Sequence, residues 1–170
     1  MKQYLAEMSR ILDTGEKRMD RTGTGTIAVF GTHQRYDLRE GFPALTTKKL
    51  AWKPVVSELL WFLEGSNDER RLCEILHGTR DQCKRTVWTD NAAASYWTPK
   101  ASFEGDVGRN YGVQWRSWGP RIGPHVDQIK EVIELIKKDP TGRRHIVTAW
   151  NPGELKDTAL PPCHIMFQFY

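Results

Sequence analysis

No stretch of the 170-residue sequence approaches the roughly 20 consecutive apolar residues of a membrane-spanning helix, so we predict no membrane association. The first residues lead into a polar, amphipathic stretch that lacks the apolar core of a secretion signal. Cysteine is scarce: there are three, an odd number without a secretory context, namely Cys73, Cys83 and Cys163. These absences predict a soluble, cytoplasmic protein with reduced thiols.

Internal repeats, low-complexity segments and linkers are also missing, and neither a GxGxxG nor a Walker pattern occurs. With 39% hydrophobic and 27% charged residues the composition is ordinary for a globular chain, and 170 residues suffice for one domain. The net charge of +4 suits an anionic small molecule as well as a polyanion. RNA binding is permitted by the charge, but no basic block or RNP-like motif supports it.

Hydrophobic periodicity predicts a mixture of helices and short strands. Helices are predicted over 4–12, from Pro54 to Leu63, and over 126–136, with Gly15 and Gly65 beyond the first two. Strands are predicted at 27–30, 146–150 and 163–170, whereas residues 78–125 are predicted to be loops with short elements. This pattern indicates an α/β or α+β fold.

The end of the sequence, residues 167–170, is an aromatic, strand-like run with no turn signal after it. A domain seldom stops inside a buried strand, because unpaired backbone groups and an apolar edge would remain. We therefore expect this chain to be an incomplete domain that continues past Tyr170.

Cys163 follows a Pro-Pro dipeptide, which restricts how the chain enters the predicted strand. Strand alternation puts Cys163 and His164 on opposite faces, which argues against a thiolate–imidazolium dyad and a cysteine protease. Two interpretations stay open: a buried structural thiol, or a nucleophile whose thiolate is favoured by the cations of Arg21, Arg143 or Arg144.

Glu58 lies in the most apolar predicted helix, with Val55, Trp61 and Phe62 as helical neighbours, so it should be at least partly buried. A carboxyl in such surroundings suits proton transfer near neutral pH, or it pairs with a lysine or arginine. The Arg143–Arg144 pair after a turn either captures phosphate or forms a solvated corner.

Three further patterns are weaker. Gly23 and Gly25, with threonines between them, could donate hydrogen bonds to phosphate. Cys73 and His77 are four residues apart on a probable helix, but no second pair completes a metal site, so we predict no metal. The tryptophans of the 78–125 region are either core residues or stacking surfaces for a flat ligand; they include Trp88, Trp97, Trp115 and Trp118.

Several separated motifs stand out for their order and spacing. They are DRTGTGT at 20–26, GFP at 41–43, TTK at 46–48, ELLWFL at 58–63, YGVQWR at 111–116, DQI at 127–129, RR at 143–144, AWN at 149–151 and PPCH at 161–164. Taken together they resemble one family, thymidylate synthase of the folate-dependent bacterial and phage type. The resemblance runs from residue 1 to residue 170 and implies a single domain of that family whose carboxyl-terminal part is absent. It implies a mixed, twisted sheet with helices on one face and a partner subunit on the other.

The resemblance also implies a reaction, the reductive methylation of dUMP to dTMP with 5,10-methylenetetrahydrofolate as co-substrate and no metal. Cys163 matches the nucleophile that adds to C6 of the pyrimidine, and Glu58 matches the carboxylate that handles proton transfers around O4. Tyr111 and His164 match residues that support the intermediate and its water network.

Binding residues are implied in the same way. Arg21 matches a phosphate ligand, whereas Arg143 and Arg144 match the pair that reaches the nucleotide of the neighbouring subunit, so a homodimer is implied. Trp88 matches the aromatic residue against which folate packs, and Lys48 matches a contact to its glutamate tail.

The chain departs from the family pattern at 105–110, where GDVGRN replaces the common Gly-Pro and apolar residue, and at Thr89, where an acidic residue is usual. These changes are either drift or altered folate contacts. Two alternative functions stay open, a deoxypyrimidine nucleotide hydroxymethylase and an inactive fragment that needs a complementing piece. We expect that the isolated chain neither folds cooperatively nor turns over dUMP.

Overall fold

The computed structural model describes residues 1–20, 23–120 and 122–170. The chain divides into two compact units, Met1–Leu50 and Ala51–Tyr170. Among the helices of the described ranges, none has both the length and the apolar character needed to cross a membrane.

The first unit contains one long helix and a small sheet. Helix α1 spans Lys2–Thr14, as its apolar spacing predicts, and Gly15 follows it, with its N–H donating to Ile11 O at 2.8 Å. Gly15 is required by space, since a Cβ there would lie 2.5 Å from Ile11 O. Strands β1 (Glu16–Arg18) and β2 (Thr26–Ala28) pair antiparallel, and a 3-10 helix covers Leu38–Glu40.

Within the ranges described, the second unit contains five α-helices and a 3-10 helix at Leu155–Asp157. Pro54 lies in the first turn of α2, where its missing N–H is tolerated, and Gly65 ends that helix in the left-handed conformation with φ +74°. The carboxylates of Asp68 and Asp127 accept backbone N–H groups at the starts of α3 and α6. The five helices are α2 Trp52–Glu64, α3 Glu69–His77, α4 Thr89–Ala92, α5 Tyr111–Arg116 and α6 Gln128–Lys138.

Strands β3 (Ile146–Thr148) and β4 (Met166–Gln168) form the sheet of the second unit, pairing antiparallel with Val147 opposite Phe167. Both are shorter than predicted. The N–H of Ala149 still donates to Ile165 O at 2.9 Å, in the same register, and the hydroxyl of Thr148 donates to that oxygen at 2.9 Å.

The predicted combination of helices and sheet is confirmed. Within the ranges described, the strands form two separate antiparallel pairs, whereas the resemblance implied one mixed sheet. Each pair belongs to a different unit, β1–β2 to the first and β3–β4 to the second.

The core of the second unit lies where α2 packs on α3 and α5, and where α6 packs on α5 and β3. Its largest fully buried apolar side chains are those of Trp61, Leu72, Val107 and Val147. Of the four tryptophans between residues 78 and 125, three are buried in this core, namely Trp88, Trp97 and Trp115. The tryptophan-rich region is therefore mainly structural.

Candidate active site

Cys163 lies in a bend three residues before β4, and its side chain is exposed to solvent. Exposure excludes the interpretation of Cys163 as a buried structural thiol. The backbone N–H of Cys163 donates to the phenol oxygen Oη of Tyr111. A buried side chain of α5 thus anchors the segment that carries the thiol.

Tyr111 is the first residue of α5 and only 6% of its surface is exposed. Burial raises the pKa of the Tyr111 phenol, although the hydrogen bond from the Cys163 N–H opposes that shift. The ring of His164 stacks on Tyr111 with centroids 4.4 Å apart and an interplanar angle of 27°. Desolvation lowers the pKa of His164 below its usual value although much of the side chain is exposed, so the neutral imidazole is favoured at pH 7.

Glu58 is half-buried in α2, as the sequence predicts. The indole N–H of Trp88 donates to Oε1 of Glu58 at 2.5 Å. Among described side chains, no lysine or arginine forms an ion pair with Glu58, so its partner is a neutral donor.

Ring contacts join these residues into one cluster. Trp88 lies against Trp61 with centroids 5.7 Å apart, and edge-on to Tyr111 at 6.2 Å. Tyr111 in turn contacts His164 and the Cys163 N–H. A continuous chain of contacts therefore runs from the Glu58 carboxylate to the segment that bears the thiol.

Thr89, one of the two departures from the family pattern, directly follows Trp88 and belongs to a buried hydrogen-bond network. The hydroxyls of Thr86 and Thr89 donate to Glu69 Oε1 at 2.6 and 2.7 Å. Glu69 is 2% exposed and paired with Arg70, which is also buried and whose Nη1 donates to the carbonyls of Asp81 and Lys84. A carboxylate at position 89 would face the Glu69 carboxylate, so the threonine fits this buried network.

The other departure, residues 108–110, is also built into the structure. Nε of Arg109 donates to both carboxylate oxygens of Glu154, at 2.8 and 2.9 Å, and Nη2 donates to the carbonyls of Ser117 and Gly119. Asn110 is the N-cap of α5 and accepts the N–H of Tyr111 at 2.8 Å. These side chains are engaged within the protein, which accounts for them without a folate contact.

The expected binding residues are distributed differently. Arg143 and Arg144 are exposed in the turn before β3, and no described carboxylate forms an ion pair with either. Lys48 is exposed in the first unit, and Arg21 falls outside the described residues. Trp88 is 4% exposed, so it is a wall of the cluster rather than an open stacking surface.

The remaining thiols and the weak metal pattern have structural explanations. Burial raises the pKa of the Cys73 thiol, which is fully buried, with its sulfur 3.7 Å from Lys84 O. His77 Nε2 lies 3.0 Å from Arg85 O. No group of three or more potential ligands that could hold a metal ion occurs in the part of the chain that the structure describes.

Two residues of this region were missed from the sequence as site components, Asn110 and Glu69. An asparagine immediately before a helical segment is an N-cap signal, and it could have identified Asn110. No such signal exists for Glu69, because an acidic residue beside arginines in an amphipathic helix normally belongs to a solvated face.

Comparison with known proteins bears directly on this arrangement. A family model described as thymidylate synthase matches residues 2–170. A protein of Escherichia phage T5, named a probable thymidylate synthase, is 50% identical over 173 residues, which cover 100% of this chain and 58% of that protein. The crystal structure of thymidylate synthase from T4 phage matches with a TM-score of 0.89 and 50% identity, covering 99% of this chain and 57% of that one.

The chain therefore spans 58% and 57% of the lengths of these two relatives. The family model matches almost all of the chain, and each of the two phage proteins is 50% identical to it in sequence. The chain belongs to the thymidylate synthase family.

Proposed function

We propose that this chain carries the nucleophile of an enzyme that converts dUMP to dTMP by reductive methylation. The observation that supports this most directly is the contact chain that links Glu58, Trp88, Tyr111 and the Cys163 segment. Family membership supplies the reaction, and the contact chain supports the assignment of these residues to it.

In the proposed reaction the thiolate of Cys163 adds to C6 of the pyrimidine and forms a C–S bond. The electron pair of the C5=C6 bond moves toward O4, which makes C5 nucleophilic. The bond is broken again when the product leaves, and the thiolate is restored. An exposed sulfur on an anchored backbone segment suits this step, because attack requires both access and a fixed direction.

Glu58 is proposed to move protons around O4 through an ordered water. The hydrogen bond from the Trp88 indole to Oε1 restrains the orientation of the Glu58 carboxylate. Tyr111, whose raised pKa keeps its phenol protonated, receives the Cys163 N–H and can donate its own O–H into the same water network. Neutral His164 beside it adds a second group that both donates and accepts.

The co-substrate 5,10-methylenetetrahydrofolate would supply the one-carbon unit and the hydride. Trp88 is proposed to border the folate site, since its buried ring contacts both the Glu58 carboxylate and the ring of Tyr111. Lys48 is proposed to bind the glutamate tail, and its exposed side chain is compatible with that contact.

Phosphate binding is proposed for Arg21, Arg143 and Arg144, the last two acting on the neighbouring subunit of a homodimer. The exposure of Arg143 and Arg144 supports contact beyond their own chain. So does the apolar surface around β3 and β4, where Ile146, Ile165 and Met166 are 41%, 62% and 44% exposed. We further propose that residues 1–170 belong to one functional domain and that the protein acts in the cytoplasm, which three free thiols support.

The test is release of tritium from dUMP labelled at C5, measured with folate for two proteins. One is the 170-residue chain, and the other is the same chain extended by the part of the phage T5 protein that has no counterpart here. We expect the extended protein to release tritium and to form a methylated rather than a hydroxymethylated nucleotide. Cys163→Ser should reduce release by about 1,000-fold or more, since a serine hydroxyl is a far weaker nucleophile at neutral pH.

Cys83→Ser is the matched control, because Cys83 is the other exposed thiol and has no proposed role. It should leave tritium release unchanged. Undiminished release by Cys163→Ser, or no release by a folded extended protein, contradicts the proposed function.

A further inference from the structure

The segment that leads to Cys163 lies alongside residues 107–111. The N–H of Ala159 donates to Val107 O at 3.0 Å, and Gly108 forms an antiparallel bridge with Thr158. The approach is so close that a Cβ on Gly108 would lie 2.3 Å from Asp157 O. Backbone pairing therefore fixes the segment as far as residue 159.

Beyond that point the backbone cannot continue the pairing, because Pro161 and Pro162 have no N–H group. Two side chains hold this part instead. The amide Nδ2 of Asn110 donates to Leu160 O at 2.6 Å, and the Oη of Tyr111 accepts the N–H of Cys163. Two consecutive residues, Asn110 and Tyr111, therefore bind the chain immediately before and immediately after the two prolines.

Asn110 is 3% exposed and uses both ends of its side chain amide. Its Oδ1 accepts the N–H of Tyr111 at 2.8 Å, which sets the start of α5, while Nδ2 binds Leu160 O. An aliphatic side chain at this position could form neither bond. One buried side chain here determines both the position of Tyr111 and that of the Cys163 segment.

We propose that Asn110 is a positioning residue that holds the backbone of 160–163, and with it the sulfur of Cys163, in register with Tyr111. The inference rests on the proposed function only in that Cys163 is taken as the nucleophile. Removal of the Asn110 amide should release the Cys163 end of the segment while the pairing at Ala159 persists, because that pairing is made by backbone atoms.

The experiment is amide hydrogen exchange, resolved by NMR, on the extended protein described above, with Asn110→Ser. A serine still caps the Tyr111 N–H but is too short to reach Leu160 O. We expect the Cys163 amide to exchange about tenfold faster or more, which corresponds to the loss of one buried hydrogen bond, while the Ala159 and α3 amides change less than about twofold.

Asn67→Ser is the matched control, because Asn67 Nδ2 also donates a 2.8 Å hydrogen bond, to Asp106, far from the thiol in sequence. It should leave exchange at Cys163 unchanged relative to the α3 amides. In the extended protein, Asn110→Ser should lower kcat for dUMP by about tenfold or more with KM altered less than about twofold, as expected for misplacement of a reacting atom.

A merely structural role would accelerate all amides together, so parallel changes at Cys163 and in α3 overturn the proposal. Unchanged exchange at Cys163 also overturns it. If Asn110→Ser does not fold, Asn110→Thr replaces it, because a threonine hydroxyl can also cap the Tyr111 N–H, is also too short to reach Leu160 O and adds no charge at this buried position. The same results are expected, and unfolding of both variants contradicts the proposal, because the effect is confined to 160–163. Faster exchange at Cys163 without tritium release by the unsubstituted extended protein contradicts the proposed function alone.

Discussion

At the scale of single residues, the environment of Glu58 differs from that of a carboxylate in an ion pair. Its Oε1 accepts the indole N–H of Trp88, a neutral donor, and no described lysine or arginine forms an ion pair with it. The bond restrains the direction of the carboxylate, as a group that transfers protons at a defined position requires.

We predict that the Glu58→Gln variant folds normally but loses most of its catalytic activity. The glutamine carbonyl can still accept the Trp88 N–H, so the free energy of unfolding should change by less than about 1 kcal/mol. Tritium release by the extended protein should fall by about 100-fold or more, the usual contribution of a positioned acid or base.

The matched control is Glu64→Gln, in the same helix. Glu64 is an exposed carboxylate whose pKa is lowered by its hydrogen bond to Arg71, and it has no proposed catalytic role. Its variant should keep full activity. Equal activity of the Glu58 and Glu64 variants would refute the role proposed for Glu58.

The lowered pKa of His164 should make the free energy of unfolding depend on pH. Because its pKa is lower in the folded than in the unfolded chain, the unfolded chain binds more protons between the folded value and about 6.5. The free energy of unfolding should therefore fall as the pH drops below about 6.5. His164→Gln should reduce this slope in urea titrations between pH 5 and pH 7.5, whereas His33→Gln, an exposed change in the first unit, should not. A slope that survives in His164→Gln contradicts the assignment.

At the scale of elements, α2 and α6 could be predicted because their apolar spacing and their boundary residues are local signals. The short helices α4 and α5 could not be placed, since four and six residues carry too little periodicity. The start of α5 depends on the Asn110 cap, and its burial depends on packing against α2. The strands were predicted too long because the ends of a ladder depend on pairing between distant segments, here 146–148 with 166–168, which local periodicity does not contain.

The pairing of 107–108 with 158–159 can be tested by a pair of glycine substitutions. Gly78 and Gly108 have nearly the same left-handed φ, +75° and +77°, but a Cβ on Gly78 meets nothing within 4 Å. Gly78→Ala should lower the free energy of unfolding by about 1 kcal/mol, from backbone strain alone. Gly108→Ala adds the contact with Asp157 O and should cost about 3 kcal/mol or more in urea unfolding. Equal costs for the two variants would show that the segments are not in close contact.

At the scale of the whole molecule, the proposed homodimer makes a complementation prediction. If Arg143 and Arg144 bind the phosphate of the partner's nucleotide, a Cys163→Ser subunit and an Arg143→Ala, Arg144→Ala subunit together form one intact site. Equal amounts of the two inactive extended proteins, mixed and allowed to exchange subunits, should recover about a quarter of the unsubstituted activity, since half the dimers are mixed. No recovery in mixed dimers verified by mass would contradict phosphate binding across the interface.

The sequence by itself determined the family, the main helices and the identity of the candidate residues, because motif order, helical periodicity and cap residues are local properties of a chain. It also predicted correctly that Glu58 is partly buried. It did not determine what these side chains contact. The two departures from the family pattern, at Thr89 and at 108–110, were left without a physical reason.

Only the tertiary structure decided that Trp88 holds Glu58, 30 residues away, and that Tyr111 holds the Cys163 segment, 52 residues away. It also decided that Thr89 completes a buried network on Glu69. Such bonds join distant residues, and each stabilises the fold only when surrounding elements exclude water from both partners. That exclusion is a property of the packing of α2, α3 and α5 together, and no single stretch of the chain encodes it.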